Sequence, residues 1–160
     1  SAMAHTYTVN CNVEQAFALL SDPEFLNARH LAIGEKASNC EVKRQGDKTI
    51  LHITRRIHRE NVPKALSKVL KTEQTIHFVE EWQPDGDNMV GHYKSEIDGL
   101  PIKVDADLTL RATPNGCEYI IDHHPHASIP LVGRLVEKFI ISQSKGGVGA
   151  EIDYLNSRLG

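Results

Sequence analysis

The feature that most constrains this chain is a change of hydrophobic period near residue 130. Six segments before it alternate apolar and polar residues and are rich in β-formers: Ser38 to Arg44, Thr49 to His58, Gln74 to Gln83, Met89 to Asp98, Ile102 to Ala112 and Cys117 to His124. After it, Val132, Leu135, Val136, Phe139, Ile140, Gln143 and Gly147 recur at spacings of three and four, the stripe of a helix running from Leu131 to Leu159 behind Pro130. The breaks between strands carry turn chemistry: Gly46-Asp47, Pro84-Asp85-Gly86-Asp87, Gly99-Leu100-Pro101 and Pro114-Asn115-Gly116. Strands joined so tightly pair antiparallel. Such a sheet must cover one face, and only the terminal helix is long enough to do so.

The remaining segments complete the order. His5 to Val9 reads as a first strand. Asn12 and Gln15 form a variant capping box ahead of Val13, Ala16, Phe17, Leu19 and Leu20, which predicts a short helix. Ser21 or Asp22 caps a second, with Pro23 in its first turn, passing through Phe25, Leu26 and Leu31 and stopping near Gly34. Val62, Leu66, Val69 and Leu70 predict a short amphipathic helix or turn. Ser1 and Ala2 precede Met3 and are expected to be a remnant outside the fold, leaving one domain over 4–160. The expected class is α+β: a bent antiparallel seven-stranded sheet around a long C-terminal helix, with two short helices after strand 1.

Composition narrows the function. With 160 residues the chain buries enough surface to fold without a disulfide or metal. A net charge of -3 argues against nucleic acid as a partner. Cys11, Cys40 and Cys117 are odd in number and lack CxxC spacing, as expected of free thiols in a reducing cytoplasm. No apolar run reaches the length of a membrane span and no signal peptide is visible, so stable membrane insertion is not expected. GxSxG, HExxH, GxGxxG and P-loop motifs are missing.

The stretches SDPEFLNARH (21–30), VPKALSKVL (62–70), EEWQP (80–84), GLPIKV (99–104), LTLRATPNG (108–116) and SIPLVGRLVEKFI (128–140), in this order and spacing, resemble the START and birch-pollen-allergen (SRPBCC, helix-grip) superfamily. Several of them also look like one uncharacterised bacterial subfamily within it, which has no assigned activity, so no catalytic residue carries over. The resemblance implies a cavity between sheet and helix, of the kind used for lipids, sterols, polyketides or aromatic compounds. Lys145-Gly146-Gly147-Val148-Gly149 departs from it, because glycines inside a helix each cost about 1 kcal/mol relative to alanine. They read as a hinge or portal, as sites of close packing, or as an early helix break.

Period-two alternation then assigns the cavity walls. The candidate ligand-binding residues are Ile53, Arg55, Phe78, Glu80, Trp82, Tyr93, Val104, Leu108, Tyr119, Ile121 and His123 on strands, with Val136, Phe139 and Ile140 on the helix. Either they enclose a ligand or they simply pack together. Arg55 and Glu80 are expected to pair if both are buried. In His123-His124-Pro125-His126, His124 and His126 share a side, but no acidic or sulfur ligand has a recognisable spacing and Pro125 is expected to disturb the strand, so no metal site is assigned. The expected function is binding of a hydrophobic small molecule, without cofactor, by a monomer or weak homodimer. The alternatives are a cyclase- or hydrolase-like enzyme in the same cavity, drawing on acids such as Glu80, Asp105 or Asp122, and an interaction module with a filled core.

Overall fold

The computed structural model describes residues 4–159; Ser1 and Ala2, expected to be a remnant, lie outside them, as do Met3 and Gly160. The chain runs β1 (Ala4–Val9), α1 (Val13–Leu20), α2 (Pro23–Ala32), β2 (Ala37–Gln45), β3 (Lys48–His58), a 3-10 turn (Lys64–Leu66), β4 (Glu73–Asp85), β5 (Asn88–Ile97), β6 (Ile102–Thr113), β7 (Gly116–Ala127) and α3 (Gly133–Ser157). The seven strands form one antiparallel sheet in the order β1-β7-β6-β5-β4-β3-β2. β2 through β7 are thus a meander, and α1 with α2 carries the chain from one edge to the other.

Local chemistry explains the boundaries. Gln15 N donates to Asn12 Oδ1 at 2.8 Å and Asn12 N to Gln15 Oε1 at 3.2 Å, the reciprocal bonds of a capping box. Asp22 caps α2 through the Glu24 N–H, with Pro23 in the first turn where no N–H is missed. The two-residue loop joining β2 to β3 begins with Gly46 at φ 61°, a conformation that suits glycine.

Two prolines expected to break strands do not. β4 continues through Pro84, paired with Met89, and β7 continues through Pro125, paired with Val104. Pairing of β3 with β4 has ended at Trp82, and that of β1 with β7 at Asp122. Each proline therefore lies where its strand has become an edge, and an edge tolerates a missing N–H.

Alternation is cleanest on β6. Ile102, Val104, Ala106, Leu108 and Leu110 are buried, while Lys103, Asp105 and Asp107 are exposed. On α3 the buried stripe is Val136, Ile140, Val148, Ile152 and Leu155. This helix packs on β7, β1 and α2, and the space over the middle strands is left to side chains. Among the described residues no helix is long and apolar enough to cross a membrane.

Candidate binding cavity

The space between sheet and α3 is not filled. A cavity of about 270 Å³ lies there, walled by β3 to β7, α2 and α3. That is close to the lower end of the roughly 300–1,000 Å³ found for small-molecule sites. Ile53, Arg55, Phe78, Glu80, Trp82, Tyr93, Val104, Tyr119, Ile121, His123, Phe139 and Ile140 all line it. Leu108 and Val136, expected with them, do not; both are fully buried and spend their surface on core packing.

The cavity floor carries a polar row set by strand register. Glu80 faces Tyr93, Tyr93 faces Ala106 and Ala106 faces His123, so the four lie side by side across β4 to β7. Ala106 has almost no side chain, and the rings of Tyr93 and His123 approach over it to 6.3 Å between centroids. Phe78 meets Tyr93 edge-on at 5.2 Å. Trp82 Nε1 donates to Glu80 Oε2 at 2.8 Å. Burial raises the Glu80 carboxyl above its ordinary pKa, against the pull of that bond. Burial also lowers His123 to about 4, so its ring is neutral, and its Nδ1 has no partner among the described residues.

Arg55 does not pair with Glu80. Its register partner is Ile76, whereas Glu80 stands opposite Leu51. The mismatch is four residues, or about 13 Å along a strand. Arg55 instead donates from Nε to both oxygens of Glu35, at 2.9 and 3.0 Å, and from Nη2 to Glu151 at 3.0 Å. Arg29 holds the other Glu151 oxygen at 2.9 Å. Burial would raise Glu151, but Arg29 and Arg55 outweigh it and bring it down to about 2. Arg29 also donates to His30 Nε2 at 2.9 Å, so His30 carries its proton on Nδ1 and donates to Ser38 Oγ at 2.7 Å. Ser38 passes the chain to Asn27. His30 is fully buried, and burial followed by the charges of Arg55 and Arg29 lowers it to about 2.

Arg29, Glu35, Glu151 and Arg59 line the cavity, although the sequence reading did not single them out. Glu151 had a signal: it continues the α3 stripe at helical spacing after Val148 and before Leu155. Arg29 and Glu35 had none, since α2 is only weakly amphipathic and Glu35 lies in a loop.

The other candidates fall outside the cavity. His124 and His126 are exposed on the outer face. Register brings Asp107 opposite Asp122, and His124 Nε2 lies 3.2 Å from the former and 3.6 Å from the latter. This is the acidic company that spacing did not reveal. Helix α3 runs unbroken through Gly146, Gly147 and Gly149. A Cβ on Gly146 or Gly147 would meet nothing within 4 Å, so neither is required for close packing; Gly149 lies against Tyr7 at an ordinary 3.6 Å.

A seven-stranded antiparallel sheet, two short helices after the first strand and a long C-terminal helix over a cavity define a protein of the helix-grip fold. The chain belongs to the family described as protein of unknown function DUF2505, whose pattern matches residues 4–159. No curated protein matches it. Among solved structures it is similar to TTHA0849 from Thermus thermophilus, at 17% identity and TM-score 0.63 over 97% of this chain and 94% of that one. It is similar to Ara h 8.0201, at 17% identity and TM-score 0.53 over 96% of each. Protein CV1439 from Chromobacterium violaceum aligns at 15% identity and TM-score 0.51, over 96% of this chain and 93% of that one. At such identities these likenesses establish the fold alone.

Proposed function

We propose that this protein is a START-like carrier or sensor that reversibly binds an apolar small molecule between sheet and α3. The observation that carries this reading is the unfilled space itself. A domain that needed only a core would close a gap of this size, because each buried cavity costs stability in proportion to its volume. Here about 270 Å³ stays open behind walls of Ile53, Ile76, Phe78, Ile97, Val104, Ile121 and Ile140, with polar groups, Glu80, His123 and the Arg55–Glu35–Glu151 network among them, set between these apolar stretches. Burying an apolar ligand there yields about 25 cal/mol for each Å² removed from water.

The test is a titration with 1-aminoanthracene, an uncharged aromatic whose emission rises in apolar surroundings. Saturable binding is expected, and Val104→Phe, which puts a ring into the space, is expected to weaken it at least tenfold while the variant stays folded. Equal affinity in the two proteins would place the probe elsewhere and remove the cavity from the account.

A second reading is favoured by Glu80. An acid raised by burial, set beside Tyr93 and lining the cavity, has the character of an acid–base catalyst. On this reading the cavity turns over its ligand, and Glu80→Gln abolishes conversion while leaving binding in place. A ligand recovered unchanged after long incubation would count against it.

A further inference from the structure

The cavity holds three arginines, and they differ in one respect. Arg29 and Arg55 each meet a carboxylate, Glu151 for both and Glu35 for Arg55. Arg59 meets none within 4 Å among the described residues, although only 8% of its surface is exposed. Its Nη1 donates to the Lys71 carbonyl at 3.2 Å and to the Gln74 side-chain oxygen, both uncharged. Its Nε and Nη2 make no hydrogen bond among the described residues. Those two N–H groups form the edge of a guanidinium that matches the two oxygens of a carboxylate. A buried cation without a counter-charge is costly, and burial lowers Arg59 to about 10 for that reason. The wall of the cavity that Arg59 also lines includes the apolar residues Ile57 on β3, Ile76 on β4 and Ile97 on β5.

We propose that Arg59 receives the carboxylate of an amphipathic anion whose apolar body occupies the cavity. The Nη1 bonds to Lys71 and Gln74 fix the plane of the guanidinium, and the Nε/Nη2 edge is left for the ligand. This defines a ligand class, an apolar chain or ring with one carboxylate, and it rests on the cavity-binding reading above. Arg29 and Arg55 cannot serve as well, because an incoming anion there would compete with Glu35 and Glu151.

The experiment compares octanoate with 1-octanol, which share a chain and differ in charge, by isothermal titration calorimetry at pH 7.5. The native protein is expected to bind both and to prefer octanoate. Arg59→Gln is expected to weaken octanoate at least tenfold and leave 1-octanol within about twofold. Arg59→Lys keeps the charge but loses the two-donor edge, and is expected to fall between. It also serves if Arg59→Gln does not fold. If both ligands bind and Arg59 substitutions weaken them equally or not at all, the anion site is wrong and the cavity reading stands. If the native protein binds 1-octanol more tightly than octanoate, the anion site is likewise wrong. If neither ligand binds, both readings fall together.

Discussion

Trp82 Nε1 donates to Glu80 Oε2 across 2.8 Å, joining two residues of one strand face into a single unit of the cavity floor. Trp82 is 1% exposed and meets Phe17 edge-on at 5.8 Å and Tyr119 at 6.4 Å. The indole thus holds the one protein hydrogen bond, among the described residues, that favours the ionised form of Glu80. Trp82→Phe keeps the packing and removes the donor. The Glu80 carboxyl, already raised by burial, is expected to titrate at still higher pH. Carbon-13 NMR of the labelled carboxyl checks this; an unchanged midpoint would show that the indole bond does not bear on Glu80.

The same indole requires a glycine beside it. Gly91 is the register partner of Trp82, and a Cβ there would overlap the Glu81 carbonyl oxygen and stand 2.8 Å from Trp82 Cδ2. The carbonyl is backbone and cannot step aside. Gly91→Ala is expected to cost about 3 kcal/mol, the upper range for overpacking. Urea unfolding measures it, and a cost near zero would mean that β4 and β5 can part freely.

Glu151 neutralises two guanidinium groups from different elements, Arg29 on α2 and Arg55 on β3. Its side chain is 13% exposed. Glu151→Ala leaves buried cations without that partner and is expected to destabilise by about 3–5 kcal/mol. Removing Glu151 together with Arg29 should cost less than the two single changes summed, which a double-mutant cycle by urea unfolding would show. Additive losses would contradict a shared network.

Gly147 faces open space from a helical position. Gly147→Ala is expected to stabilise by up to about 1 kcal/mol, through the greater freedom glycine has in the unfolded chain. If ligand exchange also slows in stopped-flow measurements, the glycines serve as the portal considered from the sequence. A loss of stability would mean that the helix needs glycine there for a reason other than space.

Acid should unfold this protein earlier than its carboxylates alone would require. His30 and His123 have folded-state values lowered to about 2 and about 4. Their unfolded counterparts take up protons near pH 6.5. Stability is therefore complete above that pH and falls as pH drops through it. For His30 the loss approaches about 1.4 kcal/mol per pH unit and continues down to its folded value. Glu151, lowered to about 2, adds a further loss only below its unfolded value of 4.5. Urea unfolding between pH 7.5 and 5 separates the two ranges, and His30→Gln should about halve the slope of the first, leaving the share of His123. A flat profile in that window would mean that His30 and His123 are both protonated in the folded protein.

The chain order of the strands, the hairpins, the first helix cap and the Val136–Ile140 part of the α3 stripe were legible because each rests on local chemistry: Gly46 in its loop, the Asn12–Gln15 box, the Val136–Ile140 spacing. Leu135 and Gln143, expected on that stripe, are exposed, and the stripe continues instead through Val148, Ile152 and Leu155. Alternation also identified most of the strand residues in the cavity wall, since facing inward is a property of a single strand. Charge pairing was not legible. Arg55 and Glu80 share an inner face but differ in register by four residues, and the partners Arg55 takes come from a loop and from α3. Pro84 and Pro125 misled for a related reason, because whether a proline breaks a strand depends on where the neighbouring strand ends. Arg59 gave no sign in sequence, as its isolation is a fact about what fails to reach it.

The central claim is that the space between sheet and α3 exists to be occupied. Native mass spectrometry of the protein purified from its own host tests this most directly. The account predicts a population heavier than the chain by one small molecule, which dissociates on mild activation and is lost in a folded Val104→Phe variant. A single species at the mass of the bare chain, in a protein that also fails to bind 1-aminoanthracene, would contradict it.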